Sequence, residues 1–159
     1  MSNSILTLNA LLQKQKKFVV PYYQRGYIWG KSRGNGAKDS VEYMLESITA
    51  SHKKDTDLFL QGITVTEDDG SITLIDSQQR MTFLYLLLCY LGYDKTFSIE
   101  YTIRKDSQDF LEKVKQLDKS GIVELCADNK NEAFQDIYYF KKTIRTISKA
   151  NLENGLLDF

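Results

Sequence analysis

Ile72-Thr73-Leu74-Ile75-Asp76-Ser77-Gln78-Gln79-Arg80-Met81-Thr82, prolonged by the apolar run Phe83 to Leu91 and closed by Gly92, joins two kinds of structure in one stretch. An apolar strand stops at Ile75. A polar cluster follows, and a helix too apolar to face water opens behind it, with Asp76 or Ser77 as its cap and Gly92 as its C-terminal stop. The first backbone N–H groups of a helix lack internal partners and carry the positive end of its dipole, so they favour an anion. Arg80 adds a permanently charged fork suited to phosphate oxygens. Gln78 and Gln79 offer donors and acceptors that could orient a water or a ribose hydroxyl. Asp76 could hold Mg²⁺ or simply cap the helix. The plainer alternative is a well-capped core helix with exposed glutamines.

Upstream of this stretch, Phe59 to Thr66 reads as a strand and Asp68-Asp69-Gly70 as the turn of a hairpin whose return strand is Ile72 to Ile75. Downstream, Phe97 to Ile103 alternates as a strand. Asp106 is expected to cap a helix that turns Phe110, Leu111, Val114 and Leu117 inward. A last helix, roughly 131–148, would bury Phe134, Ile137, Tyr138, Ile144 and Ile147. Towards the N-terminus, residues 4–15 have helical spacing, Phe18-Val19-Val20 is a short strand ended by Pro21, and residues 22–36 form a loop. Asp39 or Ser40 then caps a helix with Val41, Met44, Leu45 and Ile48 on one face. With no internal repeat or linker in sight, residues 1–159 are expected to form a single α+β domain, a small mixed sheet packed with helices.

Composition excludes several classes. At 42% hydrophobic and 26% charged residues, the chain matches a globular protein rather than a disordered one. The run Met81 to Leu91 is about half of the roughly 20 residues that span a bilayer. Met1 to Ala10 lacks a basic region followed by an apolar run. A cytoplasmic location without membrane contact is therefore expected. Cys89 reads as a small core residue, and Cys126 is too distant for metal-ligand spacing. The single histidine, His52, suits the C-terminal end of a helix dipole. One histidine and no clustered carboxylates argue against a nuclease centre within the chain. Net charge is zero, yet residues 1–38 carry seven Lys or Arg and no acid. That is either a solvated basic face or a source of positive potential for phosphates or nucleic acid.

Pro21-Tyr22-Tyr23-Gln24-Arg25-Gly26-Tyr27-Ile28-Trp29 forms a second cluster. Its rings could stack on a base or on arginine, or could pin the loop to the core. Gly26-Tyr27-Ile28-Trp29-Gly30-Lys31-Ser32 is not a P-loop, since three residues separate its glycines where four are required. Gly30 to Gly36, rich in glycine and basic, reads as a mobile flap that orders over a ligand.

Together these segments resemble the N-terminal domain family of GmrSD-type restriction endonucleases, whose fold is ParB/sulfiredoxin-like. The resemblance is carried by Val20-Pro21-Tyr22-Tyr23-Gln24-Arg25-Gly26-Tyr27-Ile28-Trp29, by Phe59-Leu60-Gln61-Gly62, and by Leu74-Ile75-Asp76-Ser77-Gln78-Gln79-Arg80-Met81-Thr82-Phe83-Leu84. Two later segments, residues 100–111 and Asp136-Ile137-Tyr138-Tyr139, extend it to about residues 5–145. The family's Gly after the motif Asp is Ser77 here, and its second Thr is Phe83. The resemblance implies a nucleoside triphosphate (ATP or GTP) with Mg²⁺, bound or hydrolysed so as to gate cleavage of modified DNA by a nuclease domain or subunit. The chain is then expected to be a piece of a longer protein. Arg80 and Arg25 would meet phosphates, Gln78 and Gln79 would orient water or nucleotide, and Asp76 would hold metal or cap. Tyr23, Gln24 and Tyr27 would wall the pocket, with Ser77 and Thr82 among the nucleotide-binding residues. The rival is a DNA-binding or modification-sensing module that hydrolyses nothing.

Overall fold

Among the described residues, four short strands form one mixed sheet in the order β2-β3-β1-β4. They are β1 (Lys17–Val20), β2 (Val65–Asp68), β3 (Ser71–Leu74) and β4 (Ser98–Tyr101). The computed structural model describes residues 5–14, 16–93, 96–128 and 135–154. β1 runs parallel to both neighbours, with Phe18 opposite Ile72 on one side and Ile99 on the other. Only the β2–β3 hairpin is antiparallel. Its Asp69 and Gly70 have φ of 46° and 79°, the positive pair that a two-residue type I′ turn requires. Strand alternation buries Phe18, Val20, Ile72, Leu74, Ile99 and Tyr101 on one face. Lys17 and Glu100 form an ion pair away from that face.

The helices are α1 (Leu8–Gln13), α2 (Ser40–Lys54), α3 (Gln78–Tyr90), α4 (Lys105–Gln116), α5 (Lys119–Leu125) and α6 (Gln135–Asn154). Every residue of α3 except Arg80 is buried, as an all-round apolar helix must be. α6 packs on α2, α3, α4 and α5. The expected ends of α2 and α3 are both present. Asp39 and Glu42 exchange reciprocal hydrogen bonds in a capping box. Gly92, at φ 78°, donates to Cys89 O while Tyr93 donates to Leu88 O, which terminates α3.

Several boundaries differ from the sequence reading. The strand expected at Phe59 to Thr66 begins only at Val65, because β3 ends at Leu74, directly opposite Val65, and leaves earlier residues no partner strand. Arg104, not Asp106, occupies the N-cap of α4. Ser77 is the N-cap of α3 but makes no side-chain capping bond. The unforeseen α5, capped by Asp118, is about two turns long with only Ile122 buried, too brief to show a periodic pattern. In α6 the deepest hydrophobic residues are Phe140, Ile144 and Ile147, with Tyr139 close behind, whereas Ile137 and Tyr138 are half-buried. The expected start of this helix at 131, together with Phe134, lies outside the described residues, as do residues 4 and 15 of the first expected helix.

One consequence of the topology positions everything below. β1, β3 and β4 are parallel, so their carboxyl ends share one edge of the sheet. The segments leaving that edge are residues 21–39, Ile75 to Ser77, and Thr102 to Arg104. Open parallel sheets bind ligands outside the carboxyl ends of their strands.

Candidate functional site

Ser77 stands at the mouth of α3 with φ 70°, a left-handed conformation that glycine adopts freely and serine only at a cost. Its amide donates to Asp76 Oδ1 at 2.7 Å and its hydroxyl to Gly62 O at 3.1 Å. Arg80 Nη1 donates to Ser77 Oγ at 3.0 Å and to Gly62 O at 3.4 Å, and Nη2 donates to Gln61 Oε1 at 3.0 Å. The segment Gln61-Gly62 is thereby lashed to the helix. All three acceptors are neutral, so the guanidinium keeps its charge uncompensated. Ser77→Gly is expected to change stability by less than about 1 kcal/mol, because strain relief of about 1–2 kcal/mol offsets the lost hydroxyl bonds. Ser77→Ala keeps the strain and loses the same bonds, at a cost of about 1–3 kcal/mol. Urea denaturation ranks the two variants, and equal stabilities would refute the strain.

The aromatic loop is bolted to this mouth from two sides. Gln24 Nε2 donates to Ile75 O at 2.9 Å. Gln79 accepts the Ile28 N–H through Oε1 and donates to Gly26 O through Nε2, both at 2.9 Å. From α6, Thr143 shares a 2.9 Å hydrogen bond with the Tyr27 hydroxyl, and Lys142 donates to Gly30 O. The Tyr27 ring packs on Phe140 and the Trp29 ring on Phe83. Burial raises the Tyr27 phenol well above its ordinary pKa, against the opposing Thr143 bond, so it stays neutral. Tyr22 and Tyr23 point the other way, 70% and 58% exposed, with their rings edge to face. The glycine-rich segment is anchored at Gly30, and residues 31–38 beyond it are exposed.

The structure therefore brings the polar groups of both clusters to one edge. Tyr23, Arg25 and Asp76 are exposed there, and Gln24 and Arg80 are half-buried. Ser77, Gln78 and Gln79 are buried, while Tyr27 and Thr82 lie wholly inside the protein. Thr82 Oγ1 bonds Gln78 O and the Tyr101 hydroxyl, each at 2.8 Å. Gln79 commits its whole carboxamide to the loop, whereas the Gln78 carboxamide has no hydrogen-bond partner among the described residues. No side chain caps the first turn of α3, which leaves its amides for an outside acceptor.

Sequence reading gave no role to four residues that complete this edge: Gln61, Arg104, Ser107 and Asp136. A signal existed for all four, since Gln61 lies in the family-like segment Phe59 to Gly62 and the other three in the two later ones. Neither cysteine joins the site. Burial pushes the Cys89 thiol up to about 11 and the Cys126 thiol up to about 12, so neither is a thiolate at neutral pH. Among the described residues no group of three or more His, Cys, Asp or Glu could hold a metal ion by itself, and no helix is long and apolar enough to cross a membrane.

Comparison with known proteins agrees with these motifs. A family model described as the GmrSD restriction endonuclease, N-terminal domain, matches residues 8–157. No curated protein and no solved structure matches the chain. With nearly its full length covered by that model, the chain belongs to the GmrSD restriction endonuclease N-terminal domain family.

Proposed function

We propose that the chain is the nucleotide-binding, NTP-hydrolysing regulatory domain of a modification-dependent restriction or anti-phage defence protein, with a ParB/sulfiredoxin-like fold. It gates DNA cleavage by a nuclease domain or subunit elsewhere. One observation carries the reading: Arg80, the uncapped first turn of α3 and the Gln24-Arg25 loop converge at the carboxyl edge of three parallel strands. Helix amides and arginine forks at such an edge suit a polyphosphate. In this reading Arg80 and Arg25 contact phosphates, and the partnerless Gln78 orients the attacking water or the nucleotide. Tyr23 and Gln24 line the approach. Gln79, Ser77, Tyr27 and Thr82 act from inside, holding the loop and the helix mouth in register.

Asp76 fits a magnesium ion that arrives with the nucleotide. Its Oδ1 accepts the Ser77 amide and its side chain is exposed, and Mg²⁺ in nucleotide sites needs only one or two carboxylates beside phosphates and water. When bound, the ion would neutralise charge on the phosphates. The amides of Gln78 to Arg80 and the guanidinium of Arg80 supply the protein's share of that stabilisation.

A thermal-shift screen of ATP, GTP, CTP and UTP, with and without Mg²⁺, tests the proposal. At a hundredfold excess over Kd, a bound nucleotide stabilises by about 2.7 kcal/mol, several degrees in Tm for a chain of this length. A second reading, a DNA-binding or modification-sensing module without hydrolysis, is favoured by exposed Tyr22 and Tyr23 beside the basic N-terminal segment. No shift with any nucleotide, together with DNA affinity that falls steeply with salt, would replace the first reading by the second.

A further inference from the structure

Four elements meet at Gly26. Its carbonyl accepts from Gln79 on α3. A Cβ at this position would overlap Asp136 Oδ1 of α6 and come within 2.9 Å of Nη1 of Arg104, the residue that leads from β4 into α4. Glycine is needed here for proximity rather than for a positive φ: any side chain would strike the carboxylate.

Asp136 is 3% exposed. Its Oδ2 accepts from Ser107 Oγ at 3.0 Å and from Arg104 Nη1 at 3.1 Å. A carboxylate so buried needs such partners to offset the water it has lost. The arginine, however, is not consumed by the pairing. It approaches end-on through one nitrogen, where a bidentate fork would serve neutralisation better. Its side chain is 35% exposed, and four of its five N–H donors are left over. Nη1 lies against Gly26, in the loop that carries Gln24 and Arg25, and Arg104 belongs to the segment that leaves the carboxyl end of β4, at the edge that also holds Asp76 to Arg80.

We propose that Arg104 is a third arginine of the ligand site, contacting a phosphate oxygen of the bound nucleoside triphosphate, with Asp136 and Ser107 as its positioning residues. This rests on the nucleotide reading above. The carboxylate, itself held by the Ser107 hydroxyl, fixes one end of the guanidinium, so that binding through the remaining donors costs little side-chain freedom. Gly26 leaves room for the pair to sit against the loop backbone.

Arg104→Gln alone would leave Asp136 buried and unpaired and could weaken the fold, so the decisive variant is the double Arg104→Gln, Asp136→Asn, which removes both charges. Affinity for ATP and GTP with Mg²⁺ is measured by titration calorimetry on the 159-residue chain, alongside Tm. The double variant is expected to melt close to the wild type yet bind nucleotide about tenfold to hundredfold more weakly. Arg104→Lys, which keeps the ion pair but not the fork, should fall between. A wild type that binds nucleotide and a double variant that binds it equally well overturn the role of Arg104 alone. A wild type that binds no nucleotide overturns the nucleotide reading and this one with it. Loss of affinity for a DNA duplex, with nucleotide affinity kept, overturns the assignment in favour of a nucleic-acid contact.

Discussion

Gln79→Ala is expected to cost the protein about 2–4 kcal/mol and to loosen the aromatic loop locally. The side chain is 6% exposed, and both ends of its carboxamide are used on backbone groups of residues 26 and 28. Truncation leaves one donor and one acceptor of the loop without a partner at a place water reaches poorly. Each such orphan costs about 1–3 kcal/mol, and the emptied volume adds a packing loss. The loop would not detach entirely, because Tyr27 stays bound to Thr143 and Trp29 stays against Phe83. The expected signature is a lowered urea midpoint at constant slope, with faster hydrogen exchange at the Ile28 amide than at the amides of β1. A midpoint change equivalent to less than about 0.5 kcal/mol would mean that the clamp contributes nothing to stability.

This clamp also explains where sequence reading stops. The long helix was legible because eleven residues from Met81 to Leu91 are apolar or small on every face, and only a buried helix tolerates that. The hairpin was legible because Asp-Gly has one strong use between short strands. Gln78 and Gln79, by contrast, are identical in type and adjacent, and the chain alone ranks them equally as ligand-facing groups. Their fates diverge because of a loop some 51 residues away that accepts the hydrogen bonds of one and not the other. Tyr27 and Tyr23 diverge for a similar reason, since only Tyr27 finds Thr143, 116 residues further along. Ser77 carried a readable clue. It stands where the family has glycine, a positive φ is one reason for a glycine, and φ 70° is found there. Arg104 and Asp136 carried a weaker one, because an ion pair 32 residues apart becomes visible only once the sheet edge places both beside Gly26.

Arg80→Ala is expected to lower nucleotide affinity about tenfold to hundredfold, the loss of a charge-assisted contact worth about 1.5–3 kcal/mol. The fold should lose at most about 1 kcal/mol, because two of the three hydrogen bonds removed are exposed, those to Gln61 and Gly62, the third runs to the part-buried Ser77 hydroxyl, which keeps its bond to Gly62 O, and alanine is a good helix former. Had Arg80 been the counter-ion of an internal acid, the balance would reverse, since stranding a buried charge costs about 3–5 kcal/mol. The neutral acceptors around it favour the first outcome. They also set its geometry: two of its five N–H donors hold the Gln61-Gly62 segment and a third holds the Ser77 hydroxyl, which fixes the guanidinium in place while two donors remain for an anion. Gln61→Ala therefore serves as a companion variant, expected to weaken binding less than Arg80→Ala because it removes a support and not the charge. Calorimetric Kd and Tm measured on both variants separate the roles. An Arg80→Ala protein that melts several degrees lower but binds nucleotide as tightly as the wild type would remove Arg80 from the site and leave it a strut for the segment before β2.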